Sequence, residues 1–292
     1  MIVHENISAV PYYDPLRYFH FGEHHNTETD NVHLWIGSQG ACLVNPDDLN
    51  MYIDFEQPNM WYHEDSLQNA LLNETRYSKI LTVCHYTCDW RNKVLGRNQY
   101  VPITYFLNVK YVPFAVNKIH NIIYTGNNQA LYGQFLNIMR PFNYRVVCGD
   151  PTIDYQGKLN LIAQSKITLV HNLIGIPAEA RIRIATVDRY RESAIFHDFE
   201  SKQYLPQIKT RPFEAAFCKS LILCWRDEYN VIERFFENGS EFVYLDADDS
   251  ERQIADILKN YGDYQVIIDR AYERAMDEYT TDSLLKFVKS AL

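Results

Sequence analysis

The sequence has no excess of basic charge: 28 lysines and arginines stand against 37 aspartates and glutamates, a formal net charge of -9 over 292 residues. That deficit argues against broad nucleic-acid or anionic-membrane binding, which needs a basic face, while allowing a local basic pocket around one phosphate. No apolar run approaches the roughly 20 residues needed to span a bilayer, so no integral membrane segment is expected. Residues 1–10 contain Glu5 and neither lysine nor arginine, unlike a signal peptide, and a cytoplasmic protein is expected. Cysteine is sparse, six residues, most of them inside apolar stretches such as VVCGD and LILCW, where a reduced thiol behaves as a small hydrophobe. No disulfide framework is expected, and no internal repeat of fixed period is present.

What is present suits a folded protein. Apolar residues make up 47% and charged residues 22%, far from a disordered composition. The length implies two domains of roughly 100 to 170 residues. In the front third, short apolar runs around residues 1–3, 32–37, 51–55 and 79–86 read as strands, and SLQNALLNETRY reads as a helix with a Ser start. YVPITYFL reads as a further strand and leads into YVPFAVNK, where Pro113 stops any helix; the domain boundary is placed at 115/116. The pattern then becomes regular: IHNIIYTG, YRVVCG and ITLVHNL as strands, NQALYGQFLNIMR and YQGKLNLIAQS as helices. A βαβαβ order implies a parallel sheet covered on both faces. After an Arg-, Glu- and Tyr-rich insertion over 174–207, the order resumes with a helix in TRPFEAAFCKS and strands in LILCW and EFVYL. Three closing helices carry apolar stripes at Ile254, Ile257 and Leu258, at Val266, Ala271 and Ala275, and at Leu284, Leu285 and Val288.

Ligands of open parallel sheets bind beyond the carboxyl ends of the strands. The first such loop of the second domain, Thr125, Gly126, Asn127, Asn128, is a glycine-containing turn opening a helix and suits a phosphate or its ribose. The second is IKTRPFE. Thr210 reads as an N-cap, Pro212 is tolerated in the first turn, and Lys209 and Arg211 flank the helix's positive end, a setting for a diphosphate. Glu214, on the flank of the Phe213, Ala216, Phe217 stripe, could accept both hydroxyl protons of a ribose, or merely complement the helix dipole.

The segment KTRPFEAAFCKSLILCWRDEYNVIERFFENGSEFVYLDADDSERQIADIL resembles the carboxyl-terminal region of GT-B-fold glycosyltransferases, in the group 1 branch that includes CgeB-like proteins. The likeness extends over residues 119–292, with GKLNLIAQSKITLVHNL matching a helix and a strand that ends in a polar loop, and YVPFAV matching an interdomain connection. It implies two Rossmann-like α/β domains facing a cleft: a short, irregular acceptor-side domain, 1–115, and a nucleotide-sugar donor domain, 116–292. It places Glu214 on the ribose, Lys209 or Arg211 near the diphosphate, and Asn172 in the polar loop beside them. UDP is the expected nucleotide because it is the common carrier among similar proteins. Two departures stand out. Lys219 occupies the position after the helix where such proteins carry glycine, so the turn either avoids positive φ or carries a strain of roughly 1 kcal/mol. Retaining members often have a glutamate eight positions before the ribose glutamate, where this sequence has Pro206, which favours inversion.

An inverting enzyme needs a base for the acceptor hydroxyl, expected on the first domain. Asp54 and Glu56 share one face of a strand by period 2, with Glu56 nearer its carboxyl end and ranked first; His24 and His25 are the other candidates. Asp246 and Asp248 imitate a manganese-binding pair but precede a helix start, where acids cap, and Cys84, His85 and Cys88 lack a second ligand pair for zinc. The expectation is therefore metal- and cofactor-independent transfer of a sugar from a nucleoside diphosphate sugar to a glycan hydroxyl, with no nucleic-acid partner. The alternatives are a nucleotide-sugar hydrolase or epimerase on the same donor site, and a non-catalytic scaffold that binds glycan or protein.

Overall fold

The computed structural model describes residues 2–7, 31–36, 49–54, 64–114, 116–126, 131–150, 152–175 and 203–290. The chain divides into two compact units. The first comprises residues 1–15, 21–104 and 175–207, the second residues 16–20, 105–174 and 208–292. The second unit thus begins at Tyr105, and 175–207 counts with the first.

In the first unit β1 (Ile2–Ile7), β2 (Asn31–Ile36), β3 (Leu49–Asp54), β4 (Lys79–Thr82) and β5 (Tyr100–Pro102) form a parallel sheet in sequential order. The described helices are α1 (Glu64–Arg76) and α2 (His85–Leu95). Met51, Ile53, Ile80 and Leu81 are buried, as strands covered on both faces require. Between the helices Arg91 grips Glu74 through both nitrogens of its fork, Nε to Oε1 and Nη2 to Oε2, each at 2.7 Å, and Tyr100 Oη donates to Oε1 at 2.9 Å. Arg97 Nη2 and Gln99 Nε2 both donate to the Glu74 carbonyl at the end of α1. The adjoining concavity of about 630 Å³, lined by Arg76, Lys79 and Arg97 among others, therefore lies where cations serve helix carboxyl ends. The strand expected to run to residue 107 stops at Pro102.

The second unit holds β6 (His120–Thr125), β7 (Tyr144–Val147), β8 (Ser165–Val170), β11 (Leu221–Trp225) and β12 (Val243–Leu245), all parallel in the order β12-β11-β8-β6-β7. Short strands β9 (Leu173–Gly175) and β10 (Tyr204–Pro206) flank the undescribed residues 176–202. The helices are α3 (Tyr132–Met139), α4 (Tyr155–Ala163), α5 (Arg211–Phe217), α6 (Ser250–Lys259), α7 (Gln265–Glu278) and α8 (Thr281–Ser290). In chain order the middle strands β6 and β8 are first and third, so the strand order reverses between them, a topological switch point.

All seven residues of α5 are buried. Phe213 sits in an aromatic cluster with Phe235 and Phe236 at 5.5 Å and Tyr279 at 5.0 Å. The stripe expected on α7 shifts: Val266 is 53% exposed, and Ile268, Ala271 and Ala275 are buried, because spacings of three and four define one face. Of the α8 stripe Leu284 is buried; the side chains of Leu285 and Val288 lie outside the described residues.

α5 ends in a full Schellman turn, with Lys219 N donating to Ala216 O and Ser220 N to Ala215 O, each at 3.0 Å. Lys219 takes φ 50 in it, so the turn does not avoid the left-handed region. Its ammonium bonds Asp269 at 3.0 Å and lies 4.4 Å from the Tyr272 ring centroid.

Candidate donor site

The switch point brings together the carboxyl ends of β6 and β8 and the segment entering α5. Gly126 follows β6 with φ 140, and its N–H is held by Val147 O at 2.9 Å. A Cβ at Gly126 would lie 2.1 Å from Arg211 Nη2 and 2.4 Å from Cζ. Glycine is needed twice over here, for the backbone and for the guanidinium that fills the notch. Arg211 is 8% exposed, and its Cζ lies 5.0 Å from the Tyr124 ring centroid, a cation over an aromatic face. Its Nη1 is buried without a hydrogen-bond partner among the described residues. A buried, uncompensated guanidinium edge is costly unless a ligand completes it.

Asn172, fully buried, accepts from Lys209 N at 3.3 Å and donates to Cys224 Sγ at 3.6 Å. It anchors the segment that carries Lys209 and Arg211. Thr210 is not the expected side-chain cap: its backbone is helical, and its hydroxyl caps nothing. The N2 position is Pro212, which has no N–H to offer such a cap. At seven residues α5 is also short, so the charge here comes from side chains and not from a helix end.

Glu214 is 1% exposed. Lys158, from the first turn of α4, lies 2.8 Å from its Oε1 and 2.6 Å from its Oε2. With 21% of its side chain exposed, Lys158 is the open partner and covers the carboxylate. Nearby, Tyr124 Oη and His171 Nε2 are 3.2 Å apart. Burial, then the charges of Arg211 and Lys209, push His171 well below the ordinary histidine range, so it is neutral. Cys148, half-buried at the end of β7, has its thiol pushed up by burial, with Arg211 opposing.

The structure therefore gathers Gly126, Asn172, Lys209, Thr210, Arg211 and Glu214 in one unit, while Asn127 and Asn128 lie outside the described residues. Glu56, His24 and His25 also lie outside them. Asp54 ends β3, 3% exposed, paired in register with Thr82, and its charge helps raise Cys84 and Tyr100. Lys158, Tyr124 and His171 were not singled out from sequence; the signal was a polar residue closing each apolar strand, in IIYT and LVHN. The acidic run has a local role: Asp246 Oδ1 accepts from Asp248 N at 3.1 Å and Asp249 N at 3.3 Å ahead of α6. Cys84 and Cys88 are buried, with Thr87 Oγ1 donating to Cys84 Sγ at 3.2 Å.

The Glycosyl transferase-like family matches residues 125–289, more than half of the chain, and the chain belongs to that family. No curated protein matches it by sequence. Among solved structures, Anabaena Alr3699/HepE in complex with UDP and glucose has 10% identity and a TM-score of 0.53, over 84% of this chain and 72% of that one. The sucrose-phosphate synthase tll1590 of Thermosynechococcus elongatus has 8% identity and a TM-score of 0.52, over 89% and 74%. A variant of S. aureus TarM in complex with fondaparinux, alpha-GlcNAc-glycerol and UDP has 9% identity and a TM-score of 0.52, over 88% and 54%. The chain thus spans about half the length of TarM. These likenesses establish the GT-B type of fold with its Rossmann-like sheets. No described helix is long and apolar enough to cross a membrane.

Proposed function

We propose that the protein transfers a sugar from a nucleoside diphosphate sugar, UDP-sugar favoured, to a carbohydrate hydroxyl, with inversion and without a metal, and that it falls in the CgeB-like branch of group 1. The observation that carries this is the buried Arg211 guanidinium with Nη1 unpartnered, seated in the Gly126 notch at the sheet's switch point. A diphosphate supplies the acceptor oxygens that such a fork lacks. HepE and S. aureus TarM were crystallised with UDP, which favours that carrier.

The acceptor oxygen attacks the anomeric carbon as the bond to the diphosphate breaks. The hydroxyl proton passes to a base on the first unit, with Glu56 ahead of Asp54 and His24, and the diphosphate leaves bound to Arg211 and Lys209 in place of a metal ion. Glu214 takes the ribose hydroxyls once Lys158 swings aside. Pro206, where retaining enzymes often carry a glutamate, weighs against retention.

Calorimetric titration with UDP, with and without EDTA, tests the site. Wild type is expected to bind in both conditions and Arg211→Ala to lose at least tenfold in affinity, the scale of one charge-assisted contact, about 1.4 kcal/mol. Absence of UDP binding in wild type refutes the reading.

A further inference from the structure

Resting on the donor-site reading, we propose that Tyr124 and His171 are a positioning pair that fixes the Arg211 guanidinium for the diphosphate. Tyr124 is fully buried, and Phe135 meets its ring edge-on at 5.3 Å. His171, 3% exposed, stacks beside it, with ring centroids 6.2 Å apart and planes 16° apart, and Phe135 closes on His171 at 5.6 Å. Leu173 N–H donates to His171 Nδ1 at 3.3 Å. Nδ1 is therefore the acceptor, Nε2 carries the proton, and Nε2 donates to Tyr124 Oη at 3.2 Å. That bond fixes the phenol ring whose face carries the guanidinium. Gly126 closes the other side, since a Cβ there would overlap Nη2.

Two polar rings in a sheet core cost desolvation that apolar side chains would not. Their bonds run from the Leu173 amide through the imidazole to the phenol under Arg211, and the guanidinium ends in the unpartnered Nη1. Packing alone asks for neither the directed bond nor a cation on the ring. The imidazole stays uncharged because burial and the Arg211 and Lys209 charges oppose its protonation.

UDP and uridine, titrated separately into the full chain, separate positioning from general structure, because only UDP carries the diphosphate that Arg211 meets. Tyr124→Leu, which removes the ring, is expected to weaken UDP about tenfold and leave uridine unchanged; Tyr124→Phe, which keeps the ring but removes the Oη that His171 holds, is expected to lose about threefold to fivefold, as His171→Leu does. His171→Leu is expected to weaken UDP about threefold to fivefold, and His171→Gln, whose amide can donate in place of Nε2–H, to recover most of that. Should Tyr124→Leu not fold, the His171→Leu and His171→Gln comparison decides. Equal losses for UDP and uridine, or wild-type UDP affinity in Tyr124→Leu and His171→Leu, overturn the pair. If wild type itself does not prefer UDP to uridine, or Arg211→Ala keeps that preference, the donor-site reading falls and the pair with it.

Discussion

Gly126→Ala probes the proposed donor site at its tightest point. At φ 140 an L-residue sits in a backbone region it rarely adopts, a strain of about 1–3 kcal/mol. The new Cβ would also meet the Arg211 guanidinium at 2.1–2.5 Å. That guanidinium is the far end of a flexible side chain and can move away, at the expense of its contact with the Tyr124 ring, about 0.5–2 kcal/mol. Together these predict a loss of about 1.5–5 kcal/mol, or about 3–20 °C in the melting temperature of a unit of this size. Denaturant titration of wild type, Gly126→Ala, Arg211→Ala and the double variant separates the two parts. The backbone strain survives in the double variant, whereas the displacement of Arg211 does not, so the two substitutions are expected to cost less together than the sum of their separate losses. UDP binding follows Arg211 and is weakened at least tenfold in Gly126→Ala, the equivalent of about 1.4 kcal/mol. A Gly126→Ala protein with wild-type stability and wild-type UDP affinity refutes the reasoning, because neither the notch nor the strain would then exist.

Lys158→Met is expected to destabilise the second unit by leaving the Glu214 carboxylate buried and unpaired, and to tighten uridine severalfold because the ribose no longer competes with an ammonium; calorimetry and urea unfolding read the two effects. Glu74→Gln should cost about 3–5 kcal/mol by stranding the buried Arg91, and Glu74→Gln/Arg91→Met should recover much of it in urea midpoints. At position 219 the glycine variant should be more stable than the alanine variant by about 1 kcal/mol, since both lose the Asp269 contact but only glycine relieves φ 50; equal stabilities would remove strain from the account. Stability should fall above pH 9: burial raises Cys84, Cys88, Cys218 and Cys224 above the ordinary thiol value of 9.0. Their contribution is complete below that value and lost as the unfolded thiols ionise, at up to about 1.4 kcal/mol per group per pH unit. Lys118, pushed down to about 8 by burial from 10.5, works in the opposite sense between those values but is one group against four. Urea midpoints at pH 7, 9 and 10 test the sum, and a midpoint unchanged at pH 10 contradicts it.

What was legible in the sequence was whatever local patterning controls. The runs that became β6, β8 and β11 are apolar because a strand covered on both faces must be, and Gly126 and Arg211 could be singled out because each belongs to a recognisable punctuation, a glycine turn and a proline in a first helical turn. What was not legible depends on partners far along the chain. Lys158 and Glu214 are 56 positions apart, and Tyr124 and His171 are 47 apart; no periodicity signals either pair. Thr210 reads as a cap until Pro212 is seen to remove the N–H the cap would need. Membership of residues 175–207 in the first unit is likewise a matter of contacts that local pattern does not encode.

The strand order explains why those distant partners meet where they do. β6 and β8 are neighbours, although β7 lies between them in sequence, so the residues that end them, Thr125 and Gly126 on one and His171 and Asn172 on the other, come together at the same end of the sheet, where ligands of such folds bind. Asn172 ties the entering segment of α5 to those strand ends through Lys209 N, and all seven residues of α5 are buried. Each part is ordinary: a strand end, a buried amide, a short helix. Arg211 is where they converge, and its Nη1 is buried without a hydrogen-bond partner among the described residues, beside the strand ends where the topology alone predicts a ligand. The sheet of the first unit, in sequential order β1 to β5, has no such reversal. Among its described strand ends, Asp54 is the carboxylate, closing β3 beside Thr82. Asp54→Asn should accordingly lower turnover more than UDP affinity if that carboxylate serves the acceptor, and a protein with unchanged turnover would return the role to Glu56 or His24.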